Sequence, residues 1–349
     1  MANTWNEKLG EELGKALAEE AISMGVHVVL GPGLNIKRSP LCGRNFEYFS
    51  EDPYHAGKMA ASYVKGIQSY GIAACPKHFA VNSQELRRMA MNSIIDERTL
   101  REIYLTGFEI AVKEGRAKSI MSSYNEVNGV YANENKHLLQ EILVDEWGFD
   151  GYVVSDWGAS NDHVLGVKNG SHLEMPGTGK VGQKEILKGI EDGVLSEKEL
   201  DQRLDELLDV IFTTHKGLEK SRKEHDIKQS TMTEQGFDIE SHHALARKVA
   251  EQGVVLLKNE DGILPLTKKT RVAIVGDFAK KSRYQGAGSS LVNPTKEPES
   301  ILNSIGSYEL QMVGYAQGYE RNAKKNPQLI EEAIKLSKEA DVVLVFAGL

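Results

Sequence analysis

Helical and strand patterns alternate along the first 220 residues, and this alternation constrains the fold more than any other feature. Residues 6–24 carry apolar side chains at helical spacing, and the apolar run 26–30 follows, closed by a Gly-Pro-Gly turn. The same order then recurs, with strands predicted at 71–76, 119–124, 152–156 and 172–176 and helices at 54–69, 96–113, 136–147 and about 160–169. Short apolar strands between helices indicate a parallel sheet. About five such units favour a (β/α) barrel over a small open sheet.

The pattern changes after the last of these strands. Residues 184–219 are predicted to be all-helical, and Ser196 with Glu199 predicts a capping box. Residues 220–240 are polar and lack periodicity, as in a linker. A second α/β pattern then begins, with helices predicted at 241–251 and 326–340 and strands at 253–259, 271–276 and 341–348. We therefore predict a barrel-type α/β domain over 1–219, a linker over 220–240 and a second α/β domain over 241–349.

The number of predicted strands indicates whether the chain contains whole domains. A closed barrel uses about eight strands, whereas residues 1–219 supply about five clear ones. The second domain has only begun when the sequence stops on an apolar strand. We expect the chain to be incomplete at both ends. The alternative is a smaller, open α/β fold that is complete as it stands.

Composition excludes several classes of protein. The formal net charge is −8 with both signs mixed along the chain, which argues against nucleic-acid binding. No apolar run approaches the roughly 20 residues needed to cross a bilayer, and the first ten residues do not resemble a secretory signal. Cys42 and Cys75 are too few for a disulfide framework or a structural zinc site. We expect a cytoplasmic protein with two reduced thiols, no membrane contact and no nucleic-acid partner.

Reactive side chains in parallel α/β folds lie at the carboxyl ends of strands. The long loop after strand 26–30 contains Arg44 among several charged and aromatic residues. Aromatic faces beside charged hydrogen-bonding groups suit a sugar, whose C–H face is apolar and whose rim is hydroxyls. An ordinary surface charge network explains the same loop equally simply.

The remaining strand ends supply further candidates. Strand 71–76 leads into Lys77 and His78, which could donate hydrogen bonds to substrate hydroxyls, and Tyr124 ends strand 119–124. Asp156 ends the most apolar strand, where a carboxylate is costly unless it is paired or catalytic. Taken alone, Asp156 could equally cap the next helix. Basic residues at the other strand ends, namely Arg44, Lys77, His78 and Arg88, favour a nucleophile, and we expect them to keep Asp156 ionised.

The sequence offers no pattern for a cofactor or a metal. The Gly/Ser-rich stretch 283–294 matches neither a dinucleotide fingerprint nor a P-loop. The pairs His172 with Glu174 and His242 with His243 lack a matching set of ligands. We therefore expect neither a cofactor nor a bound metal.

Several motifs together resemble glycoside hydrolase family 3 in its β-glucosidase branch. They are GRNFEYFSEDP (43–53), KHF (77–79), MSSYNEVNG (121–129), GYVVSDWG (151–158), EQGVVLLKNEDGILPL (251–266) and YQGAGSS (284–290). The resemblance covers essentially the whole chain and keeps the order of the family's motifs. It implies a (β/α) barrel-type catalytic domain, a linker and an α/β sandwich domain of which this chain holds the beginning.

The resemblance also implies roles for individual residues. Asp156 matches the family's nucleophile, and Trp157 matches the ring that lines the glycone subsite. Residues that hold the glycone match Arg44, Lys77, His78 and Arg88, and a tyrosine near the nucleophile matches Tyr124. Ser289 matches a second-domain loop residue that approaches the sugar, although Ser290 fits the same position.

The sequence also departs from the family pattern. The family begins earlier, with a segment whose Asp binds distal glycone hydroxyls, and its acid/base Glu follows a strand like the one that ends here. We therefore expect this chain alone to lack the acid/base. The N-acetylglucosaminidase branch has a KHFPGHG-type loop, whereas AVNSQE follows Phe79 here, which indicates the glucosidase branch.

The predicted activity is retaining hydrolysis of terminal β-D-glucosyl residues, with a β-glucoside or a short β-linked oligosaccharide as substrate. Such hydrolysis uses two carboxyl groups about 5–5.5 Å apart. Three alternatives stay open: a sugar-binding fragment or split subunit without turnover, a β-xylosidase or broad exo-β-glycosidase, and an unrelated barrel isomerase or lyase that uses Lys77 as base. Self-association, or a complementing polypeptide that supplies the missing ends, is also predicted.

Overall fold

A computed structural model describes residues 1–231, 234–285, 290–292, 294, 297–322 and 324–348. The chain forms two compact units, Met1–Val255 and Leu256–Leu349, which are described separately. Among the described residues, no helix is both long enough and apolar enough to cross a membrane.

The first unit alternates strands and helices as predicted. Its main helices are α1 (Glu7–Ser23), α2 (Pro53–Gln68), α3 (Glu97–Thr99), α4 (Thr106–Lys113), α5 (His163–Asn169), α6 (Lys180–Glu191), α7 (Glu197–Glu224) and α8 (Ile239–Gly253). Its strands are β1 (Val28–Val29), β2 (Ala73–Ala74), β3 (Lys77–Phe79), β4 (Asn92–Ser93), β5 (Ser119–Ser122), β6 (Glu126–Val127), β7 (Val130–Tyr131) and β8 (Tyr152–Val154). A π-helical segment, Leu100–Leu105, joins α3 to α4, and another, His137–Glu146, precedes β8. The predicted α/β class is therefore observed in this unit.

The strands that carry the site are short, parallel and buried. Strand β1 pairs with β2, and β5 lies between β3 and β8. A single parallel bridge from Val154 to Leu173 extends this arrangement beyond β8. Apolar residues such as Phe79, Ile120 and Val153 are buried in one cluster between the strands and the helices. Parallel strands covered on both faces are expected to be apolar throughout, because neither face meets water.

Helices α1 and α2 pack closely because glycines face each other where they cross. A Cβ atom at Gly14 would lie 2.4 Å from the carbonyl oxygen of Tyr63, and one at Gly66 would lie 2.3 Å from that of Glu11. Only glycine allows the two backbones to approach this closely. The pair forms one side of a core that includes Ile22 and Ile67.

The helix boundaries follow from side-chain caps. Asn6, Asp52 and Asp162 accept hydrogen bonds from backbone N–H groups at the starts of α1, α2 and α5. The predicted capping box of Ser196 and Glu199 is confirmed at the start of α7. These side chains satisfy N–H groups that have no partner within the helix.

Helix α8 belongs to the first unit by its contacts. His242 lies 3.0 Å from Glu19 and 2.9 Å from Glu20, both on α1, and Lys248 pairs with Glu12 at 2.9 Å. The two units divide after Val255, whereas the sequence pattern assigned residues 241–349 to the second domain. The domain boundaries predicted from the sequence remain a prediction.

The second unit contains a small parallel sheet. Strand β9 (Arg271–Val275) lies between β10 (Gln311–Ala316) and β11 (Val342–Val345), with helices α9 (Asp277–Lys280), α10 (Ile301–Ser304) and α11 (Pro327–Ser337). Val272 and Ile274 are fully buried in its core. The strand predicted at 253–259 is wrong: α8 extends to Gly253, and residues 254–259 form no strand with any part of the chain that the structure describes. Its apolar run alone could not specify a partner, and Leu257 is 91% exposed.

Candidate active site

The candidate site lies at the carboxyl ends of β3, β5 and β8. Lys77 and His78 belong to β3, Tyr124 follows β5, and Asp156 follows β8. Arg44 comes from the long loop between β1 and α2. Since parallel strands present their carboxyl ends at one edge, residues distant in sequence converge there.

Asp156 is buried, and among the described residues one of its two carboxylate oxygens has no hydrogen-bond partner. Asp156 is only 7% exposed to solvent. The N–H of Trp157 donates to Oδ1 at 2.7 Å. His78 Nε2 lies 3.5 Å from Oδ2, and Oδ2 finds no hydrogen-bond partner among the residues that the structure describes. A buried carboxylate oxygen left in this state is costly, and such groups are typical of functional sites.

The expectation that neighbouring cations keep Asp156 ionised remains a prediction, and opposing effects act on the pKa of this carboxyl group. Burial raises the pKa of Asp156 above its usual value. The N–H of Trp157, the Tyr124 hydroxyl and the charges of Arg44 and Arg88 act in the opposite direction but do not cancel it. The cations therefore limit the rise in pKa without reversing it, because desolvation of the carboxylate is the largest effect.

One carboxylate holds two of the basic side chains. Glu47 Oε1 lies 2.5 Å from Arg44 Nε, and its Oε2 lies 3.4 Å from Lys77 Nζ. All three side chains are between 15% and 19% exposed. Glu47 therefore joins the loop after β1 to β3, and it fixes where both cations point.

Arg88 is held by a second carboxylate and by an aromatic ring. Its Nη1 lies 2.7 Å from Glu85 Oε2, and its guanidinium carbon lies 4.4 Å from the centre of the Tyr124 ring. Burial is the main effect that raises the pKa of Tyr124, to about 12. Its hydroxyl is therefore protonated at neutral pH and can donate a hydrogen bond.

Trp157 gives the site an apolar surface. Trp157 is 47% exposed and directly follows the buried Asp156 in the sequence. An exposed indole next to a carboxylate and several hydrogen-bonding cations can cover the C–H face of a sugar ring. The geometry therefore combines a buried carboxylate, polar groups that can bind hydroxyls and an apolar wall.

The structure brings together the candidates from the barrel-type region, while Ser289 lies outside the described residues. The described part of the chain holds no group of three or more His, Cys, Asp or Glu side chains arranged for a metal. Asn35, Glu47 and Glu85 were not predicted as site residues. For Asn35 a signal existed, since an amide between Leu34 and Ile36 in an apolar stretch needs a partner when buried.

Comparisons with known proteins identify the family. Residues 1–210 match the glycosyl hydrolase family 3 N-terminal domain, and residues 254–349 match the C-terminal domain of the same family. This chain belongs to glycosyl hydrolase family 3. The resemblance found in the sequence is thereby confirmed.

Two curated relatives of this family 3 chain match along its whole length. It is 47% identical over 352 residues to thermostable β-glucosidase B of Acetivibrio thermocellus. It is 39% identical over 359 residues to an exo-α-(1→6)-L-arabinopyranosidase of Bifidobacterium longum. The chain spans 45% of the length of each relative.

Solved structures of the family show the same fold. The β-glucosidase of Bifidobacterium adolescentis matches with a TM-score of 0.89 at 40% identity, over 100% of this chain and 49% of that one. β-Glucosidase 3B of Thermotoga neapolitana, solved with α-D-glucose, matches with a TM-score of 0.81 at 39% identity, over 97% of this chain and 45% of that one. The predicted class, a barrel-type α/β domain followed by the start of an α/β sandwich domain, is confirmed.

Proposed function

We propose that this family 3 chain cleaves terminal β-D-glucosidic bonds with retention, and that Asp156 is the nucleophile. The observation that carries the proposal is the buried Oδ2 atom of Asp156, which finds no hydrogen-bond partner among the described residues. An atom in that state is available for attack. Most of the similar proteins are β-glucosidases, and this supports a β-glucoside as the substrate class.

In the proposed reaction, Oδ2 of Asp156 attacks the anomeric carbon. The bond to the leaving oxygen breaks, that oxygen takes up a proton from water where the leaving group needs one, and an ester between the sugar and Asp156 remains. Water then cleaves this ester and restores the β configuration. Burial favours attack, because a carboxylate with few hydrogen bonds has little solvation to lose.

The other residues bind the glycone in this proposal. Lys77, Arg44 and Arg88 donate charge-assisted hydrogen bonds to ring hydroxyls, and Trp157 covers an apolar face of the sugar. Tyr124 donates its hydroxyl toward Asp156 and orients the carboxylate. Interactions that tighten as positive charge develops on the ring raise the rate more than they improve binding of the ground state.

An activated glucoside in azide buffer tests the proposal. Dinitrophenolate leaves without protonation, so cleavage of 2,4-dinitrophenyl β-D-glucoside depends on the nucleophile and the glycone contacts. We expect cleavage of the β-glucoside and not of its α-anomer, and a first-formed sugar product, glucose or glucosyl azide, in the β configuration. A first-formed α product would contradict retention, and absence of any cleavage would contradict the proposed activity.

A second candidate activity comes from the Bifidobacterium longum relative, which is 39% identical over the whole of this chain. An α-L-arabinopyranoside shares with a β-D-glucoside the equatorial anomeric, 2- and 3-substituents, but it has an axial 4-hydroxyl and no hydroxymethyl group. Matched dinitrophenyl substrates of the two sugars separate the candidates. We expect the larger kcat/KM for the glucoside, and a larger value for the arabinopyranoside would replace glucose as the proposed substrate.

A further inference from the structure

His78 is held in a buried arrangement that restricts which ring nitrogen carries its proton. The residue is 1% exposed, and Asn35, which contacts it from the loop after β1, is 3% exposed. Asn35 Nδ2 donates to the carbonyl oxygen of His78 at 2.9 Å, and the N–H of His78 donates to Asn35 Oδ1 at 2.8 Å. These two backbone bonds fix the amide, because exchanging its oxygen and nitrogen would break both.

The fixed amide places an acceptor beside the imidazole. Asn35 Oδ1 lies 3.3 Å from His78 Nδ1, and the Tyr48 hydroxyl lies 3.4 Å from the same nitrogen. A hydroxyl can donate or accept, whereas an amide oxygen can only accept. If Nδ1 lacked a proton, the Tyr48 hydroxyl could donate to it, but its lone pair would still face the lone pairs of Oδ1. A proton on Nδ1 removes this repulsion, because it can be donated to Oδ1 while the Tyr48 hydroxyl acts as a second acceptor.

The other ring nitrogen faces the proposed nucleophile. His78 Nε2 lies 3.5 Å from Asp156 Oδ2, yet Oδ2 finds no hydrogen-bond partner among the described residues. A proton on Nε2 would be expected to bond to this oxygen. The unpartnered oxygen agrees with an Nε2 atom that carries a lone pair.

We propose that Asn35 holds His78 as the neutral Nδ1–H tautomer, so that Nε2 accepts a hydrogen bond from one sugar hydroxyl. Asn35 is thus a positioning residue, and His78 differs from its basic neighbours, which donate. The site then requires a hydroxyl that donates at this position, and a substituent that only accepts is rejected. The sugar-binding part of this inference rests on the proposed function, whereas the tautomer does not.

Burial and charge support the neutral ring. Burial lowers the pKa of His78 well below its usual value, and the charges of Arg44, Lys77 and Arg88 lower it further. Asp156 is the acidic group that faces the ring, at 3.5 Å. A neutral imidazole must leave one nitrogen without a proton.

The tautomer can be read by NMR on the full chain without a sugar. Protonated and bare imidazole nitrogens have well-separated ¹⁵N shifts, and a His78→Gln spectrum assigns the signal among the ten histidines. We expect a protonated Nδ1 and a bare Nε2 from pH 6 to pH 8. A protonated Nε2, in either a neutral or a charged ring, would overturn the proposal.

Two variants test which neighbour decides the tautomer. Asn35→Asp keeps an acceptor oxygen and should keep the proton on Nδ1, whereas Asn35→Leu should give a mixture of tautomers. Tyr48→Phe is the matched control, and it should leave the Nδ1–H signal in place. Loss of that signal in Tyr48→Phe, or its full retention in folded Asn35→Leu, would show that Asn35 does not position the ring. If Asn35→Leu does not fold, the wild-type, Asn35→Asp and Tyr48→Phe spectra still decide the question.

The direction of the hydrogen bond is tested with modified glucose. Dissociation constants are measured for glucose and for its deoxy and deoxyfluoro analogues at each hydroxyl position. At one position we expect both analogues to bind roughly tenfold more weakly than glucose, because fluorine cannot donate a hydrogen bond. If fluorine restores binding at every position, His78 donates and the inference is wrong. Failure of glucose itself to bind would count against the proposed function and leave the NMR result standing.

Discussion

Two histidine–carboxylate clusters in the first unit have opposite character. At the carboxyl end of β8, His78 and Asp156 lie 3.5 Å apart and Oδ2 of the carboxylate is left without a hydrogen-bond partner among the described residues. At the start of α5, His163 Nε2 lies 2.7 Å from Glu174 and its Nδ1 lies 2.6 Å from Glu185. The first cluster keeps polar atoms available, and the second satisfies both ring nitrogens.

The pKa directions follow the same division. Burial, aided by nearby cations, lowers the pKa of His78. Burial also opposes the charge of His163, but the bonds to Glu174 and Glu185 outweigh it and raise the pKa. The presence of a histidine beside a carboxylate therefore says little about its role. What distinguishes a candidate active site from a structural ion pair is whether desolvation or pairing with opposite charges dominates the pKa shift.

The largest effect is expected for Asp156→Asn. The amide cannot attack, so dinitrophenolate release should fall by at least about 10³-fold. The free energy of unfolding at neutral pH should rise or stay unchanged, because the raised pKa means that ionisation of Asp156 disfavours the folded state. Asp150→Asn is the control, since Asp150 is 55% exposed in its pair with Lys118. Retained activity in folded Asp156→Asn would remove the distinction between the two clusters.

Glu47→Gln tests whether the carboxylate of Glu47 positions the cations of the candidate site. Arg44 and Lys77 lose the carboxylate that both contact, so the rate with the activated glucoside should fall roughly tenfold through misplaced hydrogen-bond donors. Glu102→Gln is the matched control, because Glu102 pairs with Arg98 on an exposed helix surface. Equal rates in the two variants would show that Glu47 does not position the cations.

His163→Gln should affect stability and leave the reaction unchanged. The raised pKa gives a stabilising effect that is complete below the unfolded pKa of about 6.5 and is lost as pH rises through the folded value. Allowing for solvent screening, we expect a loss of about 1 kcal/mol at pH 5.5 in denaturant unfolding, shrinking at higher pH. A loss that grows with pH would contradict this assignment.

The smallest effect is a shift in pH dependence for Arg88→Met. Removing this positive charge raises the pKa of Asp156 further, so the acidic limb of kcat/KM should move to higher pH. Arg98→Met, at a surface position, should leave the limb unchanged. A limb that moves to lower pH would exclude Asp156 as the group that titrates there.

Much of the fold could be predicted because apolar runs and helical spacing repeat in a fixed order. The strands ending near Tyr124 and Asp156 were placed correctly, and their convergence followed from parallel pairing. The strand predicted at 253–259 was wrong, because an apolar run in the sequence does not show which strand, if any, it pairs with.

The candidate site was less predictable, because its properties depend on burial and on contacts across the fold. Asn35 contacts a residue 43 positions away, which no local pattern reveals. Burial raises the pKa of Asp156, and this desolvation cannot be read from a sequence, whereas basic neighbours can.

Labelling with 2-deoxy-2-fluoro-β-D-glucosyl fluoride tests the central claim most directly. The 2-fluoro group slows both steps, and the good leaving group lets the glycosyl-enzyme accumulate. We predict one fluoroglucosyl group per chain, mapped by peptide mass spectrometry to Asp156 and absent from Asp156→Asn. A label on another residue, or no label on folded wild-type protein, would contradict the account.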